Sequence, residues 1–392
     1  MRTIIYNANV YGENGTFSPG CVQIENGRIT EVSDETPRVD GEFIDARGGF
    51  LIPGLTDIHF HGCNSYDFCD GTTEAVHGMA GYEASVGVTQ ICPATMTIAE
   101  DSLLQIAQTA AAFVKEADPA GCCEAELVGI NMEGPFISKA KKGAQNEAFI
   151  RPADMDLFSR LQEASGNLFK IVDLAVEEPG AMEFIRESKQ RYGEDVVLSI
   201  AHTTADYDTA KASIEAGVSH ITHLYNAMPP FTHRAPGVVG AACEASQVHP
   251  EMICDGIHIH PAVMQATFKM FGKERMIIIS DSMRATGLPD GESELGGQKV
   301  IKKGAYATLE DGTLAGSVTN LMDCVRVLVK KQVLSLEDAI YCSAVTPAKE
   351  IGIFDRFGSI TPGKVANLVL LNKDLSLDFT MIRGKLIGDT SR

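Results

Sequence analysis

The chain has 392 residues, which suits a large barrel with a modest second domain better than one small domain. Apolar residues make up 44% of it and charged residues 22%, the balance of a globular protein with a sizeable core. A formal net charge of -19 argues against a nucleic-acid partner or an anionic membrane surface.

The start of the chain, MRTIIYNANV, has no basic stretch followed by a long apolar run. No segment approaches the roughly 20 apolar residues that span a bilayer. The chain is therefore expected in the cytoplasm. Ten cysteines in a large chain without a secretory signal read as reduced thiols. Cys122 and Cys123 are adjacent and no CxxC pair occurs, so a zinc ribbon is not expected.

The first fifty residues read as short strands with tight turns. TIIYNANVY, CVQIENGRITEV and EFIDARG alternate apolar and polar residues, and Asn26-Gly27 is a hairpin signal. The last forty residues share that style, in GSITPGKVANLVLLN and LDFTMIRGKLIG. Residues 1–53 and 356–392 are thus predicted to build one small β-sandwich domain from both ends.

Between them, residues 54–355 carry eight short apolar runs separated by helix-like stretches. The runs are LTDIHFH, VTQICPAT, ELVGINME, FKIVDLAVE, VVLSIAH, HITHLYN, MICDGIHI and MIIISD. Eight strands alternating with helices predict an α/β fold, a (β/α)8 TIM-type barrel, whose chemistry sits at the C-terminal ends of the strands. Most runs close on His, Glu or Asp: His61, Glu133, His202, His223, His258 and Asp281. SKAKKGAQN and MRATGLPDGESELGGQKV read as long loops over the same face, the second as a flap.

His59 and His61 stand two residues apart on a predicted strand, so both rings point to one side. Alone, that pair suits either a metal or two structural histidines; its place after Pro53-Gly54-Leu55-Thr56-Asp57, at the end of the first barrel strand, favours the metal. Glu133, His202 and His223 close the third, fifth and sixth runs. Each could be a paired structural residue, but together they make a His2Glu set that leaves a coordination position open. Asp281 ends the last run and reads as the acid/base, or else as a cap before the next segment. His77, His220, His233, His249 and His260 have no obvious converging partners, and alternation puts His220 opposite His223.

In order along the chain, PGLTDIHFHG, NMEGPF with KKGAQN, AHTTAD, HLYNAMPPFTHRAPG, CDGIHIHP and SDSMRATG resemble the N-acetylglucosamine-6-phosphate deacetylases of the amidohydrolase superfamily. The resemblance covers essentially the whole chain. It implies that Glu133, His202 and His223 hold the principal divalent metal, zinc or iron first, with manganese or cobalt as other candidates. His59 and His61, with Glu133 as a bridge, would hold a second, giving one or two per subunit. It implies Asp281 as the acid/base. Asn226, the backbone of Ala227, Arg234 and His258 would bind an amino-sugar phosphate, with the backbone at Ala144 and in Leu314-Ala315-Gly316 lining the sugar pocket. A homodimer is implied, with Arg234 or His258 reaching a neighbouring site. Some family members carry a His at the place of Gln145 that polarises the amide carbonyl; Gln145 can offer only a neutral donor.

An acidic protein that binds a phosphate needs a local cation, and the planar fork of Arg234 suits one. Other substrates remain open at this point: the galactosamine epimer, or another amidohydrolase substrate such as a cyclic amide. A non-catalytic scaffold barrel would have lost some of these residues, and none is missing.

Overall fold

The computed structural model describes residues 2–116 and 123–387, so Cys122 lies outside the described residues. Alternating apolar positions make both ends of the chain into one eight-stranded sheet. Arg2–Tyr11 pairs antiparallel with Phe17–Glu25, which turns at Asn26-Gly27 into Arg28–Ser33. Both turn residues are left-handed, with φ of 51° and 75°, as a two-residue hairpin demands. A Cβ on Gly27 would meet Arg383 O at 2.8 Å, so the close approach also requires glycine. One edge of Arg2–Tyr11 is shared between Glu42–Asp45 and Phe50–Pro53, both parallel to it. Phe50–Pro53 then takes Leu368–Leu371, followed by Leu377–Ile382 and Lys385–Ile387. Ile5, Val22 and Leu51 from the N-terminal strands meet Leu368, Leu370 and Met381 in a core of their own.

The eight apolar runs of the middle are eight strands in the expected order. They are Leu55–Asp57, Val88–Ile91, Ile130–Met132 (preceded by Glu126–Leu127), Phe169–Leu174, Val197–Ile200, His220–Ile221, His249–Ile253 and Ile277–Ile279. Neighbours pair in parallel. An Ala94–Asn131 bridge ties the second strand to the third, and Asp281 N donates to His59 O at 2.9 Å, joining the eighth to the first. A helix follows each strand, from Thr73–Ser85 after the first to Leu321–Lys330 after the eighth. The result is a (β/α)8 barrel beside a small β unit. Ile58, Ile171, Val197, Ile253 and Ile277 pack inside it, with Ile351, Ile353 and Phe357 in the same cluster. No described helix is long and apolar enough to cross a membrane.

One expectation is corrected. The segment 283–300 is not a long loop but runs into a three-stranded antiparallel sheet of Gly291–Leu295, Gln298–Lys303 and Tyr306–Leu309. Leu295, Val300 and Ala307 turn inward onto Met96 and Met283, and that burial holds the strands against the barrel mouth.

Glu83, on Thr73–Ser85, is fully buried, with the Cys63 thiol as the weak donor beside its carboxylate. Burial, reinforced by Asp57 and only partly offset by the Cys63 thiol, raises it to about 8. Its folded pKa exceeds its ordinary one, so the fold holds the proton more tightly than the unfolded chain does. This stability is full below about pH 4.5 and is lost as pH climbs towards 8. Wild type should therefore lose roughly 2–4 kcal/mol through this group between pH 5 and 8.5, a loss that Glu83→Gln removes. Denaturant midpoints of both proteins at the two pH values check this; a gap between them that does not change with pH contradicts it.

Candidate active site

The polar residues that close the strands converge at the C-terminal end of the barrel, with Glu133 as their hub. Its Oε1 lies 3.1 Å from His202 Nε2 and 3.0 Å from His223 Nε2, and its Oε2 lies 3.1 Å from His61 Nε2. His59 Nε2 approaches Oε1 at 3.6 Å and has no hydrogen-bond partner among the described residues. His59, His61 and Glu133 form one potential ligand set and Glu133, His202 and His223 another; in each the ligand atoms lie within 4.8 Å of one another, and all five residues are buried. Asp281 Oδ1 faces the same space, 3.4 Å from His61 Nε2 and 3.8 Å from His59 Nε2.

The local backbone explains how these side chains meet. His202, His223 and Asp281 have φ of 42°, 30° and 48°, in the left-handed region that few non-glycine residues enter. Strand alternation breaks at these points. His220 sends its ring to Glu251, whereas His223 sends its ring to Glu133 and only its backbone amide to Glu251. His202 Nδ1 donates to Lys141 O at 2.7 Å, which fixes the tautomer and leaves Nε2 toward Glu133. Gly316, at φ 71°, passes so close that a Cβ would lie 3.1 Å from Asp281 O.

Burial works against every charge in this cluster, but the pairing outweighs it. Asp281 and Glu133 raise His61 to about 10, and Glu251, Glu133 and Asp281 raise His59 well above its ordinary value. In return the histidines hold Glu133 well below the usual carboxylate range and lower Asp281 as well. An ion entering the cluster must displace protons from these rings, so metal uptake is favoured as pH rises.

Gln145 is fully engaged. Its Nε2 donates to Glu133 Oε2 and its Oε1 accepts from Thr97 N, both at 2.7 Å. It orients the hub carboxylate from the wall of the site.

A profile of the amidohydrolase family matches residues 50–387. The chain belongs to the amidohydrolase family. An N-acetylglucosamine-6-phosphate deacetylase from Bacillus subtilis (strain 168) is 39% identical over 385 residues, covering 98% of this chain and 96% of its own. An N-acetylgalactosamine-6-phosphate deacetylase from Escherichia coli O157:H7 is 31% identical, covering 86% of this chain and 87% of its own. Among solved structures, a mutant N-acetyl-D-glucosamine-6-phosphate deacetylase from Mycobacterium smegmatis, in complex with N-acetyl-D-glucosamine-6-phosphate, superposes with a TM-score of 0.90. It is 28% identical and covers 98% of this chain and 99% of its own.

In this amidohydrolase the cluster opens into a cavity of about 410 Å³. Ala144, Asn226, Ala227, His258, Leu314 and Gly316 line it as expected. Ala315 and Arg234 are not among the lining residues. Ala315 is fully buried in one apolar cluster with Ala307 and Met283, and its N–H donates to Ala307 O at 3.0 Å. Arg234 stands on an exposed segment outside the cavity wall. His59 lies below the floor, fully buried. His258 Nδ1 bonds Asp255 Oδ2 at 2.7 Å, leaving Nε2 for the cavity. Three contributors were not singled out from the sequence: Glu251, Asp255 and Lys141, the one Lys or Arg of the wall among the described residues. Glu251 stands as a charge inside the strand HPEMI, and the other two lie within CDGIHIHP and KKGAQN.

Proposed function

We propose that this chain removes the acetyl group from N-acetylglucosamine 6-phosphate, releasing acetate and glucosamine 6-phosphate. The observation that carries the reading is Asp281, poised beside a His/Glu cluster at the floor of a cavity of sugar-phosphate size. The sequence similarity to deacetylases of that name supports the substrate.

The residues fit a divalent ion. The donors are imidazoles and a carboxylate, and the buried lone pair of His59 Nε2 has no other partner among the described residues. Glu133, His202 and His223 would hold the principal ion, and His59, His61 and Glu133 a second. Zinc or iron is the first choice for this set, ahead of manganese or cobalt. When bound, the ion supplies the Lewis acidity that polarises the amide carbonyl and acidifies the attacking water.

Asp281 performs the proton transfers. Its carboxylate takes the proton of the water as oxygen adds to the acetyl carbon, then gives it to the sugar nitrogen as the C–N bond breaks. Burial opposes an ionised Asp281, but His61 and His59 keep its pKa low, so it stands ready to accept.

Asn226, Ala227 and His258 would receive the phosphate, with Ala144, Leu314 and Gly316 along the sugar. The exposed position of Arg234 supports a homodimer in which this side chain crosses to the neighbouring cavity. The nine described cysteines are all free, in keeping with a cytoplasmic enzyme. Residues 1–53 and 356–392 would form the β unit and 54–355 the catalytic barrel.

Arg234→Met should raise KM for the phosphorylated sugar roughly 10–100-fold, the worth of a charge-assisted hydrogen bond. Turnover of the unphosphorylated sugar should stay unchanged. Equal loss on both sugars contradicts the phosphate role. The galactosamine epimer belongs in the same assay because of the Escherichia coli relative, and turnover of that epimer alone would overturn the glucosamine reading.

A further inference from the structure

Beneath the cluster, a chain of alternating acid and base residues runs down through the barrel, and the chemistry above uses none of it beyond His59. His59 Nδ1 lies 2.9 Å from Glu251 Oε2, and the same oxygen accepts the His223 amide at 3.1 Å. Glu251 Oε1 lies 3.0 Å from His220 Nε2, an ion pair off the hydrogen-bonding line. His220 Nδ1 meets Glu350 Oε1 at 2.9 Å, and Glu350 Oε2 lies 2.8 Å from His249 Nδ1. The side chains of His59, Glu251 and His220 are fully buried and that of Glu350 nearly so, whereas His249 keeps 31% of its own exposed. His220 and His249 begin the sixth and seventh strands, so the chain ends at the opposite face of the barrel from the cavity.

Glu251 touches both ligand sets, through the ring of His59 and the amide of His223. A hydrogen on His59 Nδ1 directed at Glu251 leaves the Nε2 lone pair facing Glu133 and Asp281, as metal ligation requires. The same carboxylate oxygen pins the backbone of His223. A carboxylate this deep is costly unless a cation accompanies it. His220 is that cation: a carboxylate stands at each ring nitrogen, hydrogen-bonded at Nδ1 and ion-paired at Nε2. Burial disfavours the imidazolium, yet Glu251 and Glu350 together raise it to about 10. Glu350 completes the set by orienting His220 and is itself held by His249.

We propose that His220 and Glu350 are positioning residues for the metal cluster, acting through Glu251 to fix the ring of His59 and the backbone of His223. The proposal rests on the metal-dependent reading of the site. Loss of an outer partner of a metal-bound histidine commonly weakens metal affinity about 10–100-fold, and Glu350 should show the lower end of that range.

Glu350→Gln keeps the shape, removes the charge and lies outside the cavity wall. Cobalt(II) affinity, measured by competition with a chromophoric chelator, should fall about tenfold. The visible spectrum of the bound cobalt should change, while circular dichroism stays that of wild type. His249→Gln, at the exposed end, should weaken binding in the same direction by at least about twofold, and it carries the test if Glu350→Gln does not fold. Variants that lose thermal stability but bind cobalt with wild-type affinity and spectrum overturn the proposal. Wild-type protein that binds no cobalt overturns the metal reading itself, and the positioning role with it.

Discussion

Asp281→Asn should lower kcat by at least ~10²–10⁴-fold, the span associated with a positioned acid/base. Metal content and substrate affinity should be retained. Asparagine keeps the size of the side chain but cannot take a proton from water or return one to the departing nitrogen. The backbone around it is set by other contacts: Asp281 N donates to His59 O and Asp281 O accepts from Ser317 N, at 2.9 and 2.7 Å. The substitution leaves these intact, so a large fall in rate with unchanged metal content assigns the loss to proton transfer. Turnover within tenfold of wild type would remove Asp281 from the chemistry.

Glu133→Gln should have the second large effect, on the metal itself. Glu133 is the one residue common to both ligand sets, with His202 and His223 at one oxygen and His61 at the other. Glutamine replaces an anionic oxygen with an amide nitrogen that cannot ligate a cation through a lone pair. Metal affinity should fall by more than ~100-fold, beyond the range for outer partners, and turnover with it. Elemental analysis after exhaustive buffer exchange checks this. A variant that still holds the wild-type complement would show that the histidines alone suffice.

Much of this was legible because periodicity and position carried it. Each of the eight apolar runs became a barrel strand, and His61, Glu133, His202, His223 and Asp281, from five of those runs, form the cluster, as a parallel barrel with its chemistry at one mouth requires. The spacing of His59 and His61 likewise placed both rings toward Glu133. The misses have physical causes. Nothing in a sequence announces left-handed backbone at a histidine, so the turn of the chain at His202 and His223 could not be foreseen. Glu350 lies 130 residues from His220, and no local pattern marks such a pair. The strands of 291–309 are short, polar and glycine-rich, and so read as loop until the buried Leu295, Val300 and Ala307 reveal their inner face. Arg234 was singled out by resemblance and by the fit of its guanidinium to a phosphate, but its outward position depends on a loop whose shape no spacing rule encodes.

The most direct test of the central claim is acetate release from N-acetylglucosamine 6-phosphate, followed before chelation, after chelation and after adding back a divalent metal. The account predicts turnover that disappears with the metal, returns with it, and favours the phosphorylated sugar over the unphosphorylated one. No acetate from fully metal-loaded protein, or turnover undiminished after the metal has been removed, would contradict it.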